Sequence, residues 1–155
     1  MKITTDLLTD LGAQPDCEAL RAFAARWPGG VELTRESVAA AQVAGLNVHW
    51  LGRALAEAGR DVPPELIVAA ERETRAASWL GRALAGEGRD VPPELVAAAA
   101  REPWPASGLG VELAEAGRDV PPELIAAAAR EPLAASWLGR TMAEAGIPVP
   151  PELRE

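Results

Sequence analysis

The sequence is poor in the residues from which most active sites and metal centres are built. Its 155 residues include one His, one Cys, one Phe and no Tyr. A single Cys excludes an internal disulfide and is typical of a reducing compartment. One His and one Cys are too few ligands for a zinc-type site or a Cys–His nucleophile pair. No Gly-rich phosphate loop occurs either. We therefore expect no catalytic residues, no metal and no cofactor.

Long apolar runs are also missing. No stretch approaches the roughly 18 uncharged apolar residues of a membrane helix, and the first residues contain no apolar targeting segment. These absences predict a soluble, cytoplasmic protein that does not bind membranes.

Basic residues are fewer than acidic ones. The 15 Lys and Arg residues face 23 Asp and Glu residues, which gives a net charge of −8. An acidic chain is disfavoured at nucleic-acid phosphates and at anionic membranes. The charge favours a protein partner with a basic or mixed surface, and it says nothing about oligomeric state.

What the sequence does contain is an internal repeat with a constant step of 29 residues. The recurring positions are Gly59, Gly88, Gly117 and Gly146; Pro63, Pro92, Pro121 and Pro150; Glu65, Glu94, Glu123 and Glu152; and Leu66, Leu95, Leu124 and Leu153. A diverged copy of the same turn lies at 30–36. The predicted repeats are 17–45, 46–74, 75–103, 104–132 and a shortened 133–155, preceded by an N-terminal cap at 1–16.

Each repeat is predicted to hold two helices. In the last repeat the first helix, 132–145, carries Leu133, Trp137, Leu138 and Met142 on one stripe with helical spacing. Gly146 supplies a left-handed helix end, and the second Pro of each pair suits the first position of the following helix. In the cap we expect a helix over Thr5–Leu11. The pattern predicts a single all-α domain, 1–155, in which the hairpins stack as a short right-handed α-solenoid.

Glycine recurs inside the first helix of four of the five repeats, at Gly52, Gly81, Gly110 and Gly139. Glycine inside a helix costs about 0.5–1 kcal/mol relative to alanine. We therefore expect a neighbouring helix to approach so closely that no Cβ fits.

Residues shared by all repeats are expected to serve the fold. The recurring Arg-Asp pairs at the turns are predicted to form a solvated, partly paired charge row. The recurring serines are predicted to bond backbone groups rather than to act as nucleophiles. These positions are Arg60-Asp61, Arg89-Asp90 and Arg118-Asp119, and Ser78, Ser107 and Ser136.

Repeat 104–132 breaks the pattern, which makes it the first place to look for function. Gly108 stands where other repeats have Trp, and Val111 where they have Arg. Trp104 lies one helical turn before Gly108, so it can replace a missing core side chain. The alternative is an apolar partner-binding patch formed by Trp104, Pro105 and Val111 beside Glu112.

Repeat 46–74 and its junction also differ. His49 replaces the recurring Ser, Glu71 replaces an Ala, and Arg75 stands where later repeats have Trp or Leu. These three residues are further candidate partner contacts. They also define an alternative hypothesis, an enzyme or small-ligand protein that uses His49, Glu71 and Arg75.

The chain looks like helical-hairpin repeat proteins as a class. Its N-terminal third also resembles small bacterial and phage proteins, some of them described as immunity proteins, through the segments 2–8, 11–13, 23–30 and 31–36. This resemblance implies a small protein that works by binding another protein, and it implies no site residues.

The predicted function is noncatalytic protein binding, as an inhibitor or neutraliser in bacterial conflict. Toxin immunity and phage anti-defence of the anti-CRISPR kind are examples. A further alternative is an acidic nucleic-acid mimic that occupies the groove of a DNA- or RNA-binding protein.

Overall fold

The computed structural model describes residues 1–14 and 17–154, and it is predominantly helical. Two strands are described, β1 (Lys2–Ile3) and β2 (Val31–Glu32). The helices are α1 (Thr5–Asp10), α2 (Glu18–Arg26), α3 (Arg35–Val43), α4 (Val48–Glu57), α5 (Pro64–Glu71), α6 (Thr74–Gly86), α7 (Pro93–Ala99), α8 (Pro103–Glu115), α9 (Pro122–Ala128) and α10 (Pro132–Glu144), followed by a 3-10 helix at Pro151–Leu153. The all-α class is confirmed. The last two residues of the cap at 1–16, and the last residue of repeat 133–155, lie outside the described residues.

The chain divides into two compact units, Met1–Ala69 and Ala70–Glu155, called here the N-terminal and C-terminal units. The division falls within α5. The single domain expected over 1–155 stays a prediction.

The N-terminal unit has a helical core with a small antiparallel ribbon. β1 pairs with β2, so that Lys2 lies opposite Glu32 and Ile3 lies opposite Val31. Ile3 is buried among core residues that include Leu20. The sequence did not predict this ribbon, because strands of two residues are too short to show the alternation of apolar and polar residues that marks a strand. Its role is to anchor the start of the chain in the core.

Helix ends follow the chemistry expected from the sequence. Glycines with positive φ follow the first helices of four repeats, at Gly59, Gly88, Gly117 and Gly146, and also follow α1 and α3, at Gly12 and Gly45. Helices α5, α7 and α9 each begin at the second Pro of a pair, where the missing N–H leaves no hydrogen bond unmade. The predicted cap helix is present and ends one residue earlier than expected, at Asp10.

In the C-terminal unit the first helices of successive repeats pack side by side. α6 lies against α8, α8 lies against α10, and α7 and α9 lie next to each other. The leucines at the centre of this packing are fully buried: Leu95, Leu109, Leu124 and Leu138.

The helix-interior glycines mark the closest approaches in this packing. A Cβ at Gly81 would lie 3.0 Å from Cδ1 of Leu109, and one at Gly110 would lie 3.0 Å from Cδ1 of Leu138. A Cβ at Gly139 would lie 2.7 Å from the backbone oxygen of Leu153. The expected crowding is therefore confirmed at all three positions.

The recurring serines join one first helix to the next. Ser78 Oγ donates to the carbonyl oxygen of Pro105, and Ser107 Oγ donates to that of Ala134, each over 2.9 Å. Backbone bonding is confirmed at Ser78 and Ser107, although the acceptor belongs to the following repeat rather than to the serine's own helix; no such bond is described at Ser136. Each bond satisfies a buried hydroxyl.

Two rows of arginines also connect successive repeats. At the turns, Arg118 Nη2 lies 2.5 Å from Asp90 Oδ1 and its other nitrogen donates to the carbonyl of Arg89. After the second helices, Arg101 donates to the carbonyl of Glu71, and Arg130 donates to the carbonyls of Ala100 and Arg101. The partly paired charge row is thus confirmed at Arg118, and the second row was not expected.

Candidate interaction surface

Exposed large apolar side chains in the described part of the C-terminal unit all lie on the first helices of the repeats. They are Trp79 on α6, Trp104 on α8, and Leu133 and Trp137 on α10. We call this set the tryptophan surface. Its helices are neighbours in the packing. Exposed apolar groups that share adjacent helices differ from the single exposed residues found on most proteins.

The tryptophan surface follows two rows of equivalent repeat positions. One row contains Arg75, Trp104 and Leu133, and the other contains Trp79, Gly108 and Trp137. Positions four residues apart share a helix face, so the two rows lie side by side. Trp104 and Trp137 are in contact range across α8 and α10, with ring centroids 6.4 Å apart and planes inclined by 38°.

Neither explanation for repeat 104–132, core replacement or an exposed apolar patch, holds for all of its residues. Trp104 is 49% exposed, so it does not fill the core, and the core-replacement hypothesis is wrong for this residue. Val111 is 5% exposed and belongs to the core cluster, so the exposed-patch hypothesis is wrong for Val111. Pro105 is half-buried, and its carbonyl accepts the bond from Ser78.

The space left by the missing Trp at Gly108 is bordered by a side chain from the preceding repeat. Arg82 Cδ and Nη1 each lie 3.8 Å from the position of a Cβ at Gly108. Arg82 Nε lies 3.6 Å from Glu112 Oε2. Glu112 on α8 and Arg82 on α6 thus form a partly exposed ion pair beside Gly108.

Two exposed arginines lie beside the apolar residues of the tryptophan surface. Arg75 and Arg140 are exposed on the first and third of its helices, one turn or less from the row of Trp79 and Trp137. Neither arginine makes an ion pair with any residue in the described ranges 1–14 and 17–154. Both guanidinium groups are available to a partner.

The remaining candidate residues belong to different parts of the chain. His49 is half-buried on α4 of the N-terminal unit. Glu71 is the last residue of α5, in the C-terminal unit, and its carbonyl accepts a hydrogen bond from Arg101. Among the described residues, no group of three or more His, Cys, Asp or Glu side chains could hold a metal ion.

Sequence reasoning missed Trp79, Leu133 and Trp137 as surface residues. Leu133 and Trp137 were expected on a buried stripe with Leu138 and Met142, but only the latter two are buried. The signal was present in the repeat alignment, because the position of Leu133 is occupied by Arg75 in an earlier repeat. Arginine is found mostly at exposed positions, so Arg75 favoured exposure of Leu133.

Comparisons of the chain with protein-family models, with curated proteins and with solved structures found no match. The resemblance of the N-terminal third to small bacterial and phage proteins stays a prediction. No described helix combines the length and the apolar character needed to cross a membrane.

Proposed function

We propose that this chain is a noncatalytic protein-binding module and that its partner contacts the tryptophan surface. The observation that carries the proposal is the concentration of Trp79, Trp104, Leu133 and Trp137 on three adjacent helices. Tryptophan contributes most to binding when a partner buries it at the centre of an interface. Leaving these side chains in water has no structural benefit for the C-terminal unit.

The chemistry of the surface favours a partner of mixed charge. Arg75 and Arg140 flank the apolar residues and have no ion-pair partner among the residues described. An apolar partner patch with carboxylates at its edge complements this arrangement, and buried charge pairs of this kind select one partner over others. The rest of the acidic chain, with its net charge of −8, disfavours acidic partners elsewhere.

The same proposal includes the architecture that presents the surface. We propose that the C-terminal unit is a stack of 29-residue hairpins of the α-solenoid type. The support is the recurrence of equivalent contacts, because Ser78 and Ser107 bond the next helix in the same way. Gly81 and Gly110 also meet equivalent leucines. A stack of this kind places corresponding residues of successive repeats on one continuous face.

The biological role that we propose is inhibition or neutralisation of a bacterial or phage protein. It is supported by the N-terminal resemblance described above and by a binding surface that needs no catalytic groups. Identification of the partner tests it: a toxin or a defence effector supports the role, and a general chaperone argues against it.

Affinity capture from bacterial lysate tests the proposed function. The wild-type chain is compared with Trp104→Ser/Trp137→Ser, which removes two anchors from exposed positions. The matched control is Val43→Ser, because Val43 is 90% exposed on α3 of the N-terminal unit. We expect the double variant to lose the partner and the control to retain it.

Charge variants sharpen the same experiment. Arg75→Glu/Arg140→Glu is expected to lose the partner, while Arg21→Glu/Arg35→Glu, which makes the same change of net charge on the N-terminal unit, is expected to retain it. Equal capture by all variants would refute the surface, and failure to retain any protein would refute the function. Loss of a measurable activity in His49→Ala would favour the enzyme hypothesis instead.

A further inference from the structure

The N-terminal unit contains a cavity that the proposed function does not use. Its volume is about 350 Å³, and its lining includes Leu20, Phe23, Val38 and Leu51. These side chains come from α2, α3 and α4, so the cavity lies within the core of this unit. Four exposed residues also line it, Gly12, Gln14, Ala19 and Asn47, so the cavity is an open pocket that solvent can enter.

The lining offers little to water. No lining residue within the described ranges carries a charged side chain. Three of its polar side chains are already bonded to the backbone: Cys17 Sγ accepts from Leu20 N, Asn47 Oδ1 accepts from Trp50 N, and Ser37 Oγ accepts from Thr34 N and donates to the carbonyl of Glu32. A fourth polar lining residue, Gln14, is exposed to solvent. A buried water needs two to four polar partners, and few remain here.

Water that enters an apolar pocket finds few hydrogen-bond partners, so an apolar ligand that displaces it is favoured. A cavity of about 150 Å³ lined by Leu, Ile and Phe in another protein stays dry and binds benzene. The cavity in this chain is more than twice as large and is lined by the same residue types. Its volume also falls in the range of small-molecule sites, about 300–1,000 Å³.

We propose that the N-terminal unit binds a small, uncharged, apolar molecule in this cavity, of the size of two or three aromatic rings or a medium-length alkyl chain. The absence of charge among the described lining residues selects against ionic ligands, because a buried charge without a partner is strongly disfavoured. The proposal is independent of the tryptophan surface, since every lining residue belongs to the N-terminal unit.

The test is a fluorescence titration of the full chain with N-phenyl-1-naphthylamine, a neutral apolar probe. Ala41→Leu places bulk in the cavity from α3, and Ala39→Leu makes the same change at an exposed position of the same helix. We expect saturable binding of one probe per chain. Binding should be at least about tenfold weaker in Ala41→Leu and unchanged in Ala39→Leu, because only the former fills the cavity.

Two further measurements cover failure of a variant to fold and binding at another place. Trp104→Ser/Trp137→Ser should bind the probe as the wild type does, since the probe is not expected at the tryptophan surface. A Trp79→Phe/Trp104→Phe/Trp137→Phe chain retains only the cavity-lining Trp27 and Trp50, whose emission should be quenched by 10-bromo-1-decanol. Absence of saturable binding, equal binding by folded Ala41→Leu, loss of binding in the double variant, or absence of quenching would each overturn the proposal.

Discussion

Replacement of Gly139 by alanine measures how tightly the last helix is packed against the end of the chain. The new Cβ would lie 2.7 Å from the backbone oxygen of Leu153 and 3.4 Å from its Cβ. Because a backbone atom cannot rotate away, the 3-10 helix at Pro151–Leu153 must shift and partly expose the buried Leu153. Overpacking of this kind costs about 1–3 kcal/mol.

The same substitution also raises helix propensity, by about 0.5–1 kcal/mol, which offsets part of that cost. Subtracting this gain from the overpacking cost leaves a net loss of about 0–2.5 kcal/mol. We expect Gly139→Ala to lie in the upper part of that range, at about 1–2.5 kcal/mol, because the clash is with a backbone atom. Gly86→Ala is the matched control. It gains the same kind of propensity at the end of α6, while its Cβ would meet only the flexible Glu112 Oε1, at 3.2 Å.

Urea unfolding, followed by far-UV circular dichroism, gives the stability change of each variant. It is read from the shift of the unfolding midpoint, provided that the m-value stays constant. Gly86→Ala is expected to be as stable as the wild type or more stable by up to about 1 kcal/mol. Equal stability of the two variants would refute the argument that a close approach, rather than chance, requires glycine at position 139.

Three other substitutions have expected outcomes in the same unfolding assay. Ser107→Ala should lose about 0.5–1.5 kcal/mol because a buried hydrogen bond to the Ala134 carbonyl is removed, whereas Ser136→Ala, with no such bond among the described residues, should lose none. Arg130→Ala should lower the free energy of unfolding by about 1 kcal/mol, because its hydrogen bonds to the preceding repeat are removed. Arg72→Ala changes the corresponding exposed position and should leave the stability unchanged. Equal losses in the two variants would contradict the second arginine row. Val111→Arg should lower the stability of the C-terminal unit because Val111 is buried there, although Arg82 and Arg140 occupy the equivalent position in neighbouring repeats, and Trp104→Arg should leave the stability unchanged.

Much of the fold could be predicted because the repeat gives several copies of each signal. Glycine is unfavourable inside a helix, so its recurrence at Gly139 and the equivalent positions predicted close packing there. The Pro-initiated helices and the glycine helix ends depend on local chemistry that needs no knowledge of tertiary contacts.

The missing parts depend on contacts between residues far apart in sequence. The side chain next to Gly108 is Arg82, which lies 26 residues earlier in the sequence. Helical spacing considers only residues of the same helix, so it predicted that Trp104 replaces the missing Trp side chain. The cavity in the N-terminal unit is formed by residues from several helices and has no sequence signature. The exposure of Leu133 was open to inference from Arg75, but only by comparing repeats position by position.

The claim that one set of contacts recurs every 29 residues is tested most directly by deleting residues 104–132. The deletion joins Pro103 to Leu133 and restores the Arg-Glu-Pro-Leu sequence found at 130–133. Ser78 then meets Ala134 in place of Pro105, and Gly81 meets Leu138 in place of Leu109. A deletion of 104–130 is the control, because it leaves the remaining helices two residues out of register.

The measurement is urea unfolding of the two shortened chains, followed by far-UV circular dichroism. If the contacts recur every 29 residues, we expect the C-terminal helices to unfold in a single cooperative transition in the 29-residue deletion. In the control we expect a broad, weak transition. Loss of cooperativity in both chains alike would contradict this recurrence.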